Sequence, residues 1–148
     1  MKIHTTHTID ATPAEVWRVL ADVDRWPEWN PQMVEAAGAL VEGATIDLTM
    51  VDPKGRKNRF RPTVDQALVG ERLEWTGKLG GIPGLFTGRH WFQLTATDDG
   101  NTTRIEQGEE FSGMLVPILR RMLAHLPDTF GSVNRALGQR AAAARCSA

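Results

Sequence analysis

Three polar residues on two successive predicted strands, His90, Gln107 and Glu109, are the side chains best suited to chemistry. Side chains alternate between the faces of a strand, so His90 shares a face with Phe92, while Gln107 and Glu109 share one with Phe111. Antiparallel pairing of the two strands would bring His90 within reach of Glu109. A histidine oriented by a carboxylate can serve as a general acid or base near neutral pH.

Three roles stay open for this group. His90 can act as a catalytic acid or base with Glu109 as its partner, or the three side chains can orient a bound ligand without reacting. They can also simply hydrogen-bond one another, because buried polar groups are usually paired.

Other chemistries find less support. The four histidines show no HxxxH or HxH spacing and the only cysteine is Cys146, so we expect no metal site and no cofactor. The adjacent carboxylates at 98–99 and 109–110 would point to opposite faces of a strand. The glycine-rich segment 80–84 lacks the Lys-Ser/Thr of a phosphate loop, and Ser112 lacks the GxSxG context of a hydrolase.

Composition and charge narrow the class of protein. The chain has 148 residues, 41% of them hydrophobic, which fits one domain spanning 1–148. A net charge of −1 without a basic run argues against nucleic-acid binding. No apolar stretch reaches the ~18 residues of a membrane span, and the polar start does not resemble a signal peptide. We expect a cytoplasmic protein, a monomer or homodimer.

The elements that must position His90 and its neighbours follow from periodicity. Residues 2–9 alternate as a strand, and Thr12-Pro13-Ala14-Glu15 is a capping box that begins a helix. A turn rich in proline and tryptophan follows at 24–31. Most of the chain from there to 111 predicts sequential antiparallel strands, including one over 60–68 that carries Pro62.

The last third changes to helical spacing. Apolar residues recur every three or four positions from Leu115 to Ala141, which predicts a helix of about 30 residues. Pro127 should kink or divide it, and residues 142–148 should fray. A curved sheet must bury its apolar face, and this helix is the element large enough to cover it. The space between them predicts a cavity lined by Trp75, Phe92, Phe111, Met114, Leu119 and Leu123.

Four segments in order carry a family resemblance. They are residues 9–17 (IDATPAEVW), 26–31 (WPEWNP), 84–94 (GLFTGRHWFQL) and 110–117 (EFSGMLVP). The chain resembles the START-related SRPBCC superfamily, in particular its polyketide cyclase/dehydratase-like branch. The resemblance implies an α+β helix-grip fold, in which a curved antiparallel sheet of about seven strands (β-αα-β6-α) wraps around a long C-terminal helix.

The resemblance also implies a function and a site. Members bind hydrophobic small molecules such as lipids, polyketides and aromatic metabolites, and some cyclise or dehydrate them. The predicted ligand-binding residues are Trp29, Asn30, Trp75, Phe86, His90, Phe92, Gln107, Glu109, Phe111, Met114, Leu119 and Leu123, with His90 and Glu109 the predicted catalytic pair. Trp29 and Asn30 lie where the superfamily closes one end of its cavity.

Three functions follow as hypotheses. The first is binding of a small hydrophobic or aromatic ligand, and the second is an enzyme of the polyketide cyclase/dehydratase kind. The third is a protein–protein adaptor of the chaperone-activator type. An adaptor needs an exposed apolar patch outside the cavity, and Trp91, outward by strand parity, is the candidate.

Overall fold

A computed structural model describes residues 1–147; Ala148 and the side chains of Cys146 and Ser147 lie outside the described part. The strands are β1 Lys2–Ile9, β2 Met33–Ala37, β3 Asp47–Val51, β4 Lys57–Phe60, β5 Thr63–Leu68, β6 Arg72–Lys78, β7 Thr87–Ala96 and β8 Thr103–Ser112. The helices are α1 Pro13–Ala21, α2 Val116–Leu123 and α3 Leu126–Ser147, with short 3-10 helices at Val23–Glu28 and Leu79–Gly81.

Helix α1 begins at the predicted capping box. Thr12 Oγ1 accepts a hydrogen bond from the Glu15 amide at 3.2 Å, and the Thr12 amide donates to Glu15 Oε2 at 3.2 Å. Pro13 occupies the first turn, where its missing N–H is not needed. The cap orients Val16 and Leu20 into the core.

The eight strands are antiparallel and form two hydrogen-bonded groups. Five lie in the order β1-β8-β7-β6-β5, and three in the order β2-β3-β4. The chain before β3 joins the groups, because the amides of Gly43 and Ile46 donate to the carbonyls of Val64 and Pro62 at 2.8 and 3.0 Å. The predicted α+β class, with a curved antiparallel sheet and a long C-terminal helix, is confirmed.

The sheet differs from prediction in two places. The single strand expected over 60–68 is two strands, β4 and β5, in different groups. Pro62 explains the division because it has no N–H to continue the β4 ladder, while its carbonyl pairs with Ile46. Strand β2 was not predicted from its sequence, MVEAA, which lacks a regular alternation of apolar and polar residues.

The C-terminal helical stretch is divided, as Pro127 predicts. Helix α2 ends at Leu123, four residues before Pro127. Because proline has no N–H, the Leu123 carbonyl lacks the donor that would continue the helix. Helix α3 begins at Leu126, which places Pro127 in its first turn. It remains helical to Ser147, and the fraying of 142–148 stays a prediction.

Candidate functional site

The polar group sits in one row across three neighbouring strands. In the register, Trp75 of β6 pairs with His90 of β7, and His90 pairs with Glu109 of β8. Gln107, two residues before Glu109, pairs with Phe92. Period-two alternation therefore turns all five side chains to the same face of the sheet, as their positions predict.

Both ring nitrogens of His90 have partners. Nε2 lies 3.1 Å from Gln107 Nε2, and Nδ1 lies 3.4 Å from Glu109 Oε2. An amide nitrogen only donates, so Nε2 must accept, and the ring proton belongs on Nδ1, facing the carboxylate. In this tautomer, neither nitrogen is free to accept a proton from a ligand.

Aromatic rings enclose the His90 imidazole. The Trp75 indole stacks on it with centroids 4.7 Å apart and planes 11° apart, and Phe130 meets it edge-on at 5.1 Å. The His90 side chain is 8% exposed, whereas that of Glu109 is 20% exposed. Of these two side chains, Glu109 is therefore the more accessible to a ligand.

Gly88 makes room for the Glu109 carboxylate. A Cβ added at Gly88 would lie 2.6 Å from Glu109 Oε1, which is closer than Cβ atoms in proteins approach other atoms. Gly88 pairs with Phe111, so its empty side-chain position lies beside Glu109 on the inner face of the sheet. The glycine lets the carboxylate turn toward β7 and meet His90.

A cavity of about 90 Å³ lies over this row, between the sheet, the Val23–Glu28 segment and α3. Seven predicted site residues line it: Trp29, Asn30, Trp75, His90, Phe92, Gln107 and Glu109. Ten further residues also line it: Leu20, Trp26, Gln32, Met33, Met50, Phe60, Leu126, Thr129, Phe130 and Val133. Three of the four α3 members, Leu126, Phe130 and Val133, fall on the predicted apolar stripe, a signal that could have identified them, whereas Thr129 does not.

Five predicted lining residues lie elsewhere. Phe86, Phe111, Leu119 and Leu123 pack in a second core cluster with Ile3 and Phe130, and Phe86 also lines the wide groove beside the cavity. Met114 is exposed to solvent, so its placement in the cavity was wrong. The division of the helix explains the positions of Leu119 and Leu123, because α3 rather than α2 contributes the helical lining of the cavity.

Trp26 and Asn30 have definite structural partners at the cavity. Trp26 Nε1 donates to the Leu20 carbonyl at 3.0 Å, and its ring lies 5.7 Å from that of Trp75. Asn30 Oδ1 accepts from the Gln32 amide at 2.9 Å and shapes the turn that leads into β2. Both side chains brace the cavity wall.

The amide oxygen of Gln107 is buried, and it accepts no hydrogen bond from the described residues. A buried acceptor without a donor is costly, because its hydration is lost without replacement. Such groups are uncommon in folded proteins and require an explanation. This one belongs to a side chain that lines the cavity.

A wide groove of about 840 Å³ adjoins the cavity and opens to solvent. The two share Phe60, Trp75 and Glu109 in their linings. Glu109 therefore lies between the smaller cavity and the wide groove.

The exposed patch predicted at Trp91 is absent, because Trp91 is buried on the outer face. Its indole covers Gly108, where an added Cβ would lie 2.2 Å from the ring. Lys2 Nζ lies 5.3 Å and the Arg72 guanidinium 6.0 Å from the ring centroid, within cation–π range. Strand parity correctly predicted that Trp91 lies on the outer face of the sheet. It did not predict that Lys2 and Arg72 would lie against the indole.

The described residues contain neither a metal-binding cluster nor a membrane-spanning helix. Within them, no group of three His, Cys, Asp or Glu side chains is placed to hold a metal ion. No helix in residues 1–147 is long and apolar enough to cross a membrane.

Solved structures share this fold. A START superfamily protein from Mycobacterium smegmatis superposes with a TM-score of 0.73 at 13% identity, covering 95% of this chain and 96% of that chain. The Zhui aromatase/cyclase from a Streptomyces species gives 0.75 at 16% identity, covering 95% and 93%. A protein from Thermus thermophilus gives 0.76 at 17% identity, covering 97% and 99%. At these identities the likeness shows the fold alone.

No curated protein sequence matches this chain. Its family is nevertheless clear, because residues 1–144 match the family model described as "Polyketide cyclase / dehydrase and lipid transport". The match spans nearly the whole sequence and agrees with the START superfamily fold. The chain therefore belongs to the polyketide cyclase/dehydrase and lipid transport family.

Proposed function

We propose that the protein binds a small, largely apolar molecule with an aromatic ring in the cavity between the sheet and α3. The observation that carries this proposal is a partly enclosed, aromatic-lined space with three hydrogen-bonding side chains on one wall. Ligand sites in proteins are typically of this kind, mostly apolar with a few placed polar groups. The family description and the aromatase/cyclase neighbour support an apolar or aromatic ligand.

The size of the cavity limits what it holds. At about 90 Å³ it is smaller than the roughly 150 Å³ of an engineered cavity that binds benzene. Drug-sized ligands occupy roughly 300–1,000 Å³. A ligand of more than one ring must therefore extend past Phe60, Trp75 and Glu109 into the groove of about 840 Å³.

The polar wall favours a ligand with a hydroxyl group. Glu109 presents a partly exposed carboxylate on this wall, beside the Oε1 of Gln107, which is buried and has no donor among the described residues. A carboxylate is an acceptor, so a ligand O–H seated against Glu109 gains a hydrogen bond. An apolar ring with a phenolic hydroxyl combines the two requirements.

Calorimetric titration with 1-naphthol and naphthalene tests the proposal. We expect 1-naphthol to bind more tightly than naphthalene. Val133→Phe, which fills the cavity from α3, should weaken the binding of both compounds by at least about tenfold. Val69→Phe makes the same change at an exposed turn and should bind like the native protein. Unchanged binding in a natively folded Val133→Phe variant, checked by circular dichroism, would refute a ligand site in the cavity.

The contact between His90 and Glu109 favours a second candidate, acid–base catalysis on the same ligand. Because both nitrogens of His90 are engaged, Glu109 would take the proton from a carbon between two ketones. The rate of cyclisation of a linear poly-β-ketone measures this step. We expect losses of about a hundredfold or more in Glu109→Gln and smaller losses in His90→Gln. Unchanged rates in both variants would exclude the enzyme.

A further inference from the structure

One end of the molecule exposes a set of large apolar side chains. Met114, Ile118 and Met122 are 78%, 75% and 56% exposed. Ile118 and Met122 are four residues apart and so share one face of α2, while Met114 lies just before the helix. The opposite face of α2 is already used, because Leu119 and Leu123 pack into the second core cluster.

The turn after β6 extends this surface. Leu79 and Ile82 are each about half exposed. The amides of Met114 and Leu115 donate to the carbonyls of Gly84 and Leu85 at 3.0 Å each, which fixes the turn against the start of α2. We call the combined surface the α2 patch; it consists of Leu79, Ile82, Met114, Ile118 and Met122.

The charge within the two segments that carry the α2 patch has one sign. These segments, 78–88 and 111–127, contain Lys78, Arg120 and Arg121 but no Asp or Glu, in a chain with a net charge of −1. The carboxylates at the borders of the second segment are Glu110, which pairs with Arg89, and Asp128. Among the described residues, none of these three cations forms an ion pair. Arg121 lies only about 60° from Ile118 around the helix axis. The patch is therefore an apolar face edged by unneutralised positive charge.

These features decide between possible occupants. A second copy of the chain, docked through the same patch, would place three cations opposite three cations. The apolar hot spots of protein partners are mainly Trp and Tyr, whereas no member of the α2 patch is aromatic. An apolar face with basic residues at its border is instead the pattern of helices that lie in a membrane interface. We propose that the α2 patch docks onto the surface of an anionic lipid bilayer.

Leu79 and Lys78 also line the groove, but Ile118 and Met122 line neither the cavity nor the groove, so changing these two tests the patch separately from the ligand site. Each basic residue near an anionic bilayer strengthens binding about fivefold, so two arginines together contribute about twenty- to thirtyfold. This attraction is screened by salt, with a Debye length of about 10 Å at 0.1 M.

Vesicle flotation of the full chain tests the proposal, using phosphatidylcholine vesicles with and without phosphatidylglycerol. We expect binding to the anionic vesicles, weakening as salt is added. Ile118→Ser/Met122→Ser should reduce it at least tenfold, and Arg120→Gln/Arg121→Gln about twenty- to thirtyfold. Val41→Ser/Val69→Ser and Arg18→Gln/Arg104→Gln alter exposed residues outside the patch and should bind like the native chain.

Three results would overturn the proposal. The first is flotation of the native chain equally with both kinds of vesicle or with neither. The second is binding by the patch variants as tight as that of their controls. The third is a dimer in sedimentation that the Ile118→Ser/Met122→Ser change dissolves, which would assign the patch to self-association.

Discussion

Replacing Gly88 with alanine should break the contact between His90 and Glu109 and leave the fold intact. The added methyl would lie 2.6 Å from Glu109 Oε1, whereas ordinary contacts begin at about 3.4 Å, so the carboxylate must retreat by about 0.8 Å. The contact with His90 Nδ1 is already long at 3.4 Å and does not survive such a retreat.

The effect of Gly88→Ala on stability should be small because two contributions oppose each other. The obstructing atom is the end of a flexible side chain, and losing one long hydrogen bond to a partly exposed carboxylate costs at most about 1.5 kcal/mol. Removing a strand glycine regains about 0.5–1 kcal/mol. The midpoint of thermal unfolding should therefore move by no more than about 4 °C, since 1 kcal/mol shifts a domain of this size by about 2–4 °C.

Nitrogen-15 NMR of the imidazole measures the loss of the His90 contact directly. In the native protein we expect the neutral tautomer with the proton on Nδ1, held between Gln107 and Glu109. In Gly88→Ala the Nδ1 signal should move toward that of Glu109→Gln, the matched control that removes the charge without adding a methyl. A native-like His90 spectrum, or a fall in the midpoint well beyond 4 °C, would refute this account of Gly88.

Three further predictions concern stability. Gly108→Ala places a methyl 2.2 Å from the buried Trp91 ring, which cannot move easily, so calorimetry should show a loss of about 1–3 kcal/mol; an unchanged midpoint would contradict this. Thr12→Ala removes the α1 cap and should cost about 1 kcal/mol in urea unfolding without changing the m-value. A backbone hydrogen bond from Asn101 lowers the pKa of Asp99 below 3.8. The ionised carboxylate therefore stabilises the fold above its ordinary pKa and loses this effect as the pH falls through the lowered pKa, so the destabilisation by Asp99→Asn in urea unfolding should be present at pH 7 and should shrink as the solution is acidified.

The polar row was predictable because strand periodicity is a strong local signal. Alternation alone places His90, Gln107 and Glu109 on one face with Phe92. The register that pairs Trp75 with His90 depends on strand-to-strand hydrogen bonds, which no local pattern encodes. The sequence therefore predicted the face, while the stacking of Trp75 on the imidazole required the structure.

The cavity's helical wall was harder to predict because it depends on where the helix divides. Pro127 indicated a division, but its effect falls four residues earlier, at Leu123. The chain turns there, so α2 covers the second core cluster and α3 covers the cavity. Phe130 therefore lines the cavity, whereas Met114, which was predicted to line it, is exposed.

The surroundings of His90 and Glu109 assign them different roles. His90 is held on both nitrogens and between aromatic rings, so it fixes the position of the carboxylate beside it. Glu109 is more exposed and lines both the cavity and the groove. A ligand that spans the two spaces must pass this carboxylate whether it is carried or transformed. Glu109→Gln should therefore alter 1-naphthol binding more than His90→Gln does, and the reverse order would contradict this division of roles.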